Sequence, residues 1–302
     1  MGGVPEGWGQ GAGGGRIPPM RVLSIQSCVS YGHVGNSAAV FPMQRLGHEV
    51  MPVHTVVFSN HTGYGAWGGQ LISGDVVRDI VAGIDARGGL ADVDLVLSGY
   101  QGGNDIGDAI LDAVALVKSR NPEAIYACDP VLGSAASGCF VAPEVQTLIR
   151  DRVVPQADLI TPNQFELGFI TGTDPHTIDE TLAAVDVVRA SGPSTVLVTS
   201  VFRPDAPADT IEMLAATADG AWVVQTPRLP FKRNGSGDVA AALFSSHFRG
   251  SGDAADALAR TAGSVFGLLR NTHDADASEL LLVESQDEYV APTTTFAVTQ
   301  VR

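Results

Sequence analysis

Short apolar runs alternate with longer stretches of helical periodicity from residue 21 onward. The apolar runs predict strands at residues 22–26, 50–57, 95–97, 125–128, 159–161, 196–199, 211–216 and 221–225. The longer stretches predict helices at residues 37–46, 76–86, 105–119, 143–150, 164–171, 178–190, 238–248 and 253–269. Strands that alternate with helices are typical of βαβ units. We therefore expect an α/β fold with a mostly parallel central sheet and helices on both faces.

One pair of predicted strands is joined by a tight turn. Asp219 and Gly220 separate the runs at 211–216 and 221–225, and Asp-Gly between apolar runs is a strong hairpin signal. We therefore expect an antiparallel addition at one edge of the sheet.

The domain organisation follows from the uniform character of the chain. The sequence contains no internal repeat and no linker, which predicts a single domain over residues 20–302. Residues 1–19 are rich in glycine and proline and lack an apolar core, so they predict a flexible tail and not a signal peptide. Met20 stands directly before the first predicted strand, so we treat it as a hypothetical alternative start of translation that N-terminal sequencing would test.

The composition narrows the classes of partner. The chain has 302 residues, a formal net charge of −15 and only two lysines, Lys118 and Lys232. Because there is no basic stripe, we expect neither nucleic acid nor an anionic membrane as a partner. No apolar run approaches the ~18 residues that span a bilayer. The three cysteines lack metal-ligand spacing, which favours a reducing, cytoplasmic setting.

Polar and aromatic side chains follow the predicted strands where each strand ends. From the first strand to the sixth they are Ser27 with 31–36, then 59–64, 98–100, 129–131, 161–166 and 199–200. Open parallel sheets bind ligands in the crevice beyond the carboxyl ends of their strands. Any single segment could be a turn or a cap, but six at one rim favour a binding site.

Two of these residues are carboxylates, Asp129 and Glu166. Carboxylates at adjacent strand ends suit a hard cation that is held mostly through water and phosphate oxygens. Thr161 and Asn163 are close enough in the sequence to contribute. The alternative is structural, with Asp129 capping a tight turn before Pro130 and Glu166 in the first turn of a helix. The residues alone leave both interpretations open.

A glycine-rich turn leads into the predicted helix at 238–248. Gly235, Ser236 and Gly237 let the backbone approach a ligand closely, and the helix start offers unpaired amides to a phosphate. Asp238 could then accept a proton from an attacking hydroxyl group. The alternative is a plain strand-to-helix turn in which Asp238 caps the helix.

Three common motifs are absent from the sequence. There is no Gly-x4-Gly-Lys-Ser/Thr loop, which excludes a P-loop kinase. Gly32 and Gly35 do not complete a dinucleotide fingerprint, so nicotinamide binding is disfavoured. The absence of a Gly-x-Ser-x-Gly elbow argues against an α/β-hydrolase.

Several segments match a known family in their order and spacing. They are Ser27 with 31–36, then 58–64, 98–100, 128–133, 161–166 and 234–238. On these motifs the chain resembles the pyridoxal kinase family of the ribokinase superfamily from Arg21 to its C-terminus. The Ser-Asn-His-Thr segment at 59–62 points to the pyridoxal branch and not to sugar kinases. The resemblance implies a ribokinase-like three-layer sandwich that uses ATP to phosphorylate the 5′-hydroxymethyl group of pyridoxal in vitamin B6 salvage.

The resemblance also implies roles for individual residues. Asp238 would be the catalytic base, and Gly235, Ser236 and Gly237 would form the anion hole for the γ-phosphoryl group. The residues implied to contact the vitamer are Ser27, Val56, Phe58, His61, Thr62, Tyr100, Cys139 and Asp238. Those implied to place ATP are Asp129, Thr161, Asn163, Glu166, Thr199 and Asn234, with Asp129 and Glu166 also near Mg²⁺. Family members commonly use a monovalent cation such as K⁺ and form homodimers.

Three positions qualify the resemblance. Ser236 stands where many relatives have threonine or valine, and a small residue there keeps the anion hole. Ser134 stands where some relatives have an acidic residue, which leaves the number of metal-contacting carboxylates open. Cys139 lies in a loop like that of one branch, whose thiol can add to the substrate aldehyde. The alternative for Cys139 is a packed loop cysteine.

Two other functions remain open on the sequence. One is phosphorylation of a hydroxymethylpyrimidine, and the other is low-turnover binding of pyridoxal or pyridoxal 5′-phosphate. His61, Thr62 and Tyr100 favour pyridoxal over the pyrimidine, and the intact Asp238 segment argues against a non-catalytic protein.

Overall fold

The fold is built around long, buried strands. The computed structural model describes residues 18–302, so residues 1–17 of the predicted tail lie outside the described residues. The first strand, β1 (Arg21–Tyr31), is buried over most of its length. Burial of consecutive side chains, which point to opposite faces, is typical of an interior strand of a parallel sheet.

Within residues 18–302, ten strands form one sheet and two form a separate hairpin. The strands after β1 are β2 (Glu49–Asn60), β3 (Gly69–Leu71), β4 (Val93–Ser98), β5 (Ile125–Cys128), β6 (Gly133–Ser134), β7 (Gly138–Cys139), β8 (Leu159–Ile160), β9 (Thr195–Val201), β10 (Thr210–Thr217), β11 (Gly220–Pro227) and β12 (Val298–Gln300). The order across the sheet is β12-β11-β10-β9-β8-β5-β4-β1-β2-β3. The strands from β9 to β2 run parallel, and the strands outside them add antiparallel at the two edges.

Helices cover both faces of this sheet. They are α1 (Asn36–Arg45), α2 (Gly74–Asp85), α3 (Asn104–Arg120), α4 (Pro143–Leu148), α5 (Gln164–Thr171), α6 (Ile178–Ser191), α7 (Ser236–Ser251), α8 (Ala254–Asp274) and α9 (Gln286–Val290). Helices α2 to α6 pack on one face, where Val81 and Ile110 are buried. Helices α1, α7 and α8 pack on the other face, where Phe244 and Leu258 are buried. The predicted α/β fold with a mostly parallel sheet is confirmed.

The structure corrects two details of the predicted sheet. Strands β1 and β2 are longer than predicted because they keep pairing past a local shift in register, up to Tyr31 and Asn60. Ser27 and residues 59–60 therefore lie within these strands and not beyond their ends. The predicted hairpin forms between β10 and β11, but β12 covers its outer side, so the hairpin is not the edge of the sheet.

Other differences concern short segments. The helix predicted at 143–150 ends as α4 at Leu148 and continues as a π-helical turn, Ile149–Val153. The strands β3, β6, β7 and β12, the helix α9 and a 3₁₀ turn at Thr62–Tyr64 were not predicted. Each is at most five residues long, too short to carry a readable period.

The strand order reverses between β1 and β4. The chain leaves β1 for β2 on one side, while β4, β5, β8 and β9 extend on the other side. Such a reversal opens a crevice at the carboxyl ends of the two strands. Over residues 18–302, none of the helices has the length and hydropathy that a bilayer-spanning segment requires.

Candidate active site

The predicted rim residues follow the carboxyl ends of the parallel strands. Ser98 ends β4, Asp129 follows β5, and Thr199 lies near the end of β9. Asn163, which follows β8, forms an isolated parallel bridge with Thr199. Because these strands are parallel neighbours, the residues line one edge of the sheet, as expected.

The N-terminus of α7 carries the glycine-rich turn. Gly235 is the N-cap residue with φ of +89°, and no side chain caps the helix there. A Cβ atom at Gly235 would collide with the carbonyl oxygen of His33, so only glycine fits. The first-turn amides are therefore left for a ligand, together with the positive end of the helix dipole.

Asp238 lies in the first turn of α7 and is partly buried. Burial raises the pKa of its carboxyl group to about 6, while hydrogen bonding by the backbone amide of Gly35 opposes the rise. Gly35 is the N-cap residue of α1, and a Cβ atom there would collide with Ser27. Two helix N-termini therefore meet at this carboxylate. At pH 7 it is mostly ionised, yet it is a stronger base than a free aspartate, whose pKa is about 3.9.

Asp129 and Glu166 add negative charge near Asp238. Both are buried. Burial raises the pKa of Asp129 well above its usual range, and the charges of Glu166 and Asp238 raise it further. Burial also raises the pKa of Glu166, against the effect of three backbone amides. Carboxylates that repel one another are stabilised by a nearby positive charge.

Glu166 also has structural partners. Its Oε1 accepts hydrogen bonds from the amides of Leu132 at 2.7 Å and Gly133 at 3.1 Å. Its Oε2 accepts from the amide of Asn163 at 2.9 Å, and Asn163 Oδ1 accepts from the Glu166 amide at 3.0 Å. The two residues thus form a capping box at the start of α5. Because Oε2 keeps an unused lone pair, a ligand contact can be added to the cap.

The predicted vitamer residues include a small apolar cluster. Val56 and Phe58 are buried with Val29, and Tyr100 packs against them. Ser27 is also buried. The structure therefore brings Val56, Phe58 and Tyr100 together in one apolar cluster.

The segment after β2 carries His61 and the exposed Thr62. Nε2 of His61 lies 3.1 Å from Oε1 of Glu279, and Nδ1 lies 3.3 Å from Nδ2 of Asn234. The His61 ring stacks on Tyr64, with 4.6 Å between ring centroids. Glu279 was not predicted from the sequence, because no motif surrounds it and it is 218 residues from His61.

Cys139 lies on β7, in the small hairpin with β6, and is partly buried. Burial raises the pKa of its thiol, and the charge of Glu166 raises it further. At neutral pH this group is therefore a thiol and not the more nucleophilic thiolate. Ser134, on the other strand of the hairpin, forms a hydrogen bond with Ser137 at 2.8 Å.

A cavity of about 580 Å³ adjoins the segment that leads into α7. Its lining includes Arg228, Phe231 and Lys232. Arg233 lies over the Phe231 ring and donates to the carbonyl oxygen of Ala277 at 2.7 Å, so its guanidinium is committed to the fold. Lys232 is exposed. Arg228 and Lys232 bring two positive charges to this cavity and Asp209 brings one negative charge, so its lining is positive in a chain whose net charge is −15.

Comparisons with known proteins agree with this geometry. A family model described as phosphomethylpyrimidine kinase matches residues 105–278, more than half of the chain. Pyridoxal kinases of Leifsonia xyli subsp. xyli and Corynebacterium diphtheriae are 63% and 60% identical over 282 residues, which cover 93% of this chain and 100% of each relative. A pyridoxal kinase from Leishmania donovani, solved in complex with ADP and pyridoxamine, aligns with a TM-score of 0.87 and 28% identity, over 93% of this chain and 99% of that chain.

The resemblance drawn from the motifs is thereby confirmed at the level of fold and enzyme class. The fold is ribokinase-like, and the chain is a kinase. More than half of the aligned residues are identical in the chain and in the relatives from Leifsonia xyli and Corynebacterium diphtheriae, and the alignments cover the full length of both relatives. The chain belongs to the pyridoxal kinase family.

Proposed function

We propose that this kinase transfers the γ-phosphoryl group of ATP to the 5′-hydroxymethyl group of pyridoxal, giving pyridoxal 5′-phosphate for vitamin B6 salvage. The observation that carries the proposal is Asp238, a carboxylate with a pKa of about 6 in the first turn of a helix whose N-terminus has no side-chain cap. The relatives named pyridoxal kinase support the substrate, and the neighbour solved with ADP and pyridoxamine supports the pair of ligands.

Asp238 accepts the proton of the attacking hydroxyl group. Its pKa of about 6 lies just below neutral pH, so the carboxylate is both mostly ionised and moderately basic. A moderate base is sufficient because an alcohol that attacks through a loose transition state loses its proton late. The amide of Gly35 holds the carboxylate in place during this transfer.

The amides of Gly235, Ser236 and Gly237 bind the transferring phosphoryl group. Their dipoles and that of α7 stabilise charge that develops on its oxygens. The Ser236 hydroxyl donates to the carbonyl oxygen of Arg233 at 3.3 Å, so its side chain is turned to the loop. This orientation agrees with the view that residue 236 needs only to be small. Asn234 flanks the hole and is exposed to a nucleotide.

ATP binds between α7 and the ends of β5, β8 and β9. The residues that place it are Asp129, Thr161, Asn163, Glu166, Thr199 and Asn234, of which Asp129, Thr161, Glu166 and Thr199 are buried. The cavity beside Arg228 and Lys232 is large enough for the rest of the nucleotide. Its lining is positive, because Arg228 and Lys232 outweigh Asp209, and this charge favours an anionic ligand in an acidic protein.

We propose that Mg²⁺ accompanies ATP and that Asp129 would be its main protein ligand. Glu166 would contribute less, because its oxygens already accept three amide hydrogen bonds. Over residues 18–302, no group of three His, Cys, Asp or Glu side chains could hold a metal ion by itself. Water and phosphate oxygens would therefore complete the shell, where the ion neutralises phosphate charge. A monovalent cation such as K⁺ is proposed from the family resemblance alone.

The vitamer ring lies against the apolar side chains of Val56 and Phe58. Ser27, Thr62 and Tyr100 supply hydroxyl groups for its polar substituents. His61 contacts the ring through its own ring atoms, because both of its nitrogens have protein partners. Cys139 would stand near the aldehyde.

The test is ATP-dependent turnover on four alcohols: pyridoxal, pyridoxine, pyridoxamine and hydroxymethylpyrimidine. We expect the highest kcat/KM for the B6 vitamers. The description of the matching family model favours hydroxymethylpyrimidine kinase as the second candidate, and a preference for the pyrimidine would support it. Tight vitamer binding without turnover would instead support a pyridoxal-binding protein.

We also propose that residues 20–302 form a single domain, that the kinase is a homodimer and that it works in the cytoplasm. All three cysteines, Cys28, Cys128 and Cys139, are free thiols, which suits a reducing compartment. Light scattering after size-exclusion chromatography tests the dimer, since a monomeric mass at micromolar concentration would contradict it.

A further inference from the structure

Glu279 lies in the segment after α8 and contacts the two segments of the proposed active site that follow β1 and β2. Its Oε1 accepts a hydrogen bond from the Tyr64 hydroxyl at 2.5 Å and lies 3.1 Å from Nε2 of His61. Its Oε2 accepts from the backbone amide of His33 at 3.2 Å. The Glu279 side chain is only 15% exposed. These contacts connect the loops that follow β1 and β2 to the C-terminal part of the chain.

The contact with Glu279 determines which nitrogen of the His61 ring carries the proton. A carboxylate only accepts hydrogen bonds, so Nε2 of His61 carries the proton that is shared with Glu279. In a neutral imidazole, Nδ1 is then an acceptor for the side-chain amide of Asn234. Glu279 therefore orients His61, and His61 orients Asn234 beside the anion hole.

A second connection runs through His33. Glu279 accepts from the amide of His33, and the carbonyl oxygen of His33 is the atom against which Gly235 packs. Gly32 permits this approach, because a Cβ atom there would lie 2.6 Å from Oε2 of Glu279. Both connections thus end at the turn that begins α7.

The charge state of Glu279 supports an acceptor role. Burial raises its pKa, but the hydrogen bonds from Tyr64 and His61 outweigh that effect, and its pKa is lowered overall. The carboxyl group is therefore ionised at neutral pH. An ionised acceptor with three donors holds its partners more firmly than a neutral group would.

We propose that Glu279 is a positioning residue that couples the vitamer side of the active site, through His61 and His33, to the anion hole at Asn234 and Gly235. This inference rests on the proposed function. It predicts that removal of one carboxylate weakens the binding of both substrates, although Glu279 itself contacts neither. A residue that only stabilised the fold would change the stability and leave both affinities alone.

The experiment compares Glu279→Ala and Glu279→Gln with Asp287→Asn. Asp287 is the matched control, because it is a nearby acidic residue in an exposed ion pair with Arg45 at 2.9 Å. We expect Glu279→Ala to raise both the Kd of pyridoxal, measured calorimetrically without ATP, and the KM of ATP by roughly tenfold. In Glu279→Gln the amide oxygen still accepts the hydrogen bonds from His61 and Tyr64, but the NH₂ group is a donor that faces another donor, the His33 amide. The KM of ATP should therefore rise, while the Kd of pyridoxal should stay within about twofold of the wild-type value.

A folded Glu279→Ala variant in which the Kd of pyridoxal and the KM of ATP are both unchanged would overturn the proposal. If Glu279→Ala does not fold, an unchanged Kd of pyridoxal together with an unchanged KM of ATP in Glu279→Gln would overturn it equally. Nitrogen-15 NMR gives a readout independent of activity, since His61 should lose its single Nε2–H tautomer in Glu279→Ala and keep it in Asp287→Asn. Wild-type protein that binds pyridoxal without phosphorylating it would contradict the proposed function, while the binding comparison would still decide the role of Glu279.

Discussion

Asn163 and Glu166 cap the start of α5 for each other, through hydrogen bonds of 2.9 and 3.0 Å between side chains and backbone amides. Glu166 also holds the loop after β5 by accepting from the amides of Leu132 and Gly133. The same carboxylate lies in the negative cluster with Asp129. One residue therefore joins a structural role to a proposed role near the metal and ATP, and the two roles can be separated by experiment.

Glu166→Ala should lower the free energy of unfolding by about 2–4 kcal/mol, because it leaves buried amides without acceptors. Urea denaturation without ATP or Mg²⁺ measures this effect apart from ligand binding. Glu144→Ala is the matched control, since Glu144 is also in the first turn of a helix but is exposed. A Glu166→Ala protein as stable as the wild type would show that the cap contributes nothing.

The basicity of Asp238 should appear in the pH dependence of the reaction. Its pKa of about 6 is the folded-state value, so below that pH the group is mostly protonated and cannot accept a proton. We expect kcat/KM for pyridoxal to be flat near neutral pH and to fall about tenfold per unit well below pH 6. Initial rates between pH 5 and 8, with the folded fraction checked at each pH, measure this. A profile that stays flat to pH 5 would count against Asp238 as the base.

Two buried histidines should make the protein sensitive to acid. Burial lowers the pKa of His48 and of His247 to about 4. Neither ring nitrogen of His247 has a hydrogen-bond partner among residues 18–302. The unfolded chain takes up these protons near pH 6.5 and the folded chain only near pH 4, so stability is highest above pH 6.5 and falls as the pH is lowered between these values.

Replacement of His247 by leucine should remove part of that sensitivity. We expect the variant to lose about 2–3 kcal/mol less stability than the wild type between pH 7 and pH 4. Urea denaturation at a series of pH values gives the comparison. His176→Gln is the control, because the His176 side chain is 65% exposed. An identical slope in His247→Leu and the wild type would refute this assignment.

Cys139 can be tested with two substrates. Addition of its thiol to the aldehyde requires pyridoxal, whereas pyridoxine carries an alcohol at that position. If the addition occurs, Cys139→Ala should raise KM for pyridoxal severalfold more than KM for pyridoxine. Equal effects on both would favour the packed loop cysteine, an interpretation that the raised thiol pKa also supports.

Most of the fold could be predicted from the sequence, because its parallel strands are buried and therefore appear as apolar runs. Runs such as Ile125–Cys128 carry a strong apolar pattern, and the structure reproduces that strand residue for residue. The edge strand Val298–Gln300 has no such pattern, since it is short and mostly exposed. Its position depends on pairing with β11, a long-range contact that no local period encodes.

The site residues could be predicted from the sequence only where they belong to a local motif. The glycines and Asp238 stand together in the sequence, so their chemistry could be inferred locally. The amide of Gly35 acts on Asp238 only because α1 and α7 meet in space. Glu279 is 215 residues from Tyr64, and its importance arises only when the chain is folded.

Asp238 is the proposed proton acceptor for phosphoryl transfer, and the Asp238→Asn variant is the most direct test of that role. Asparagine has nearly the same shape but cannot accept the proton. Asp256→Asn is the matched control, since Asp256 lies in the first turn of the next helix. We predict that Asp238→Asn lowers kcat for pyridoxal by at least about 100-fold while Asp256→Asn leaves it unchanged. An Asp238→Asn enzyme with wild-type kcat would show that Asp238 is not the proton acceptor.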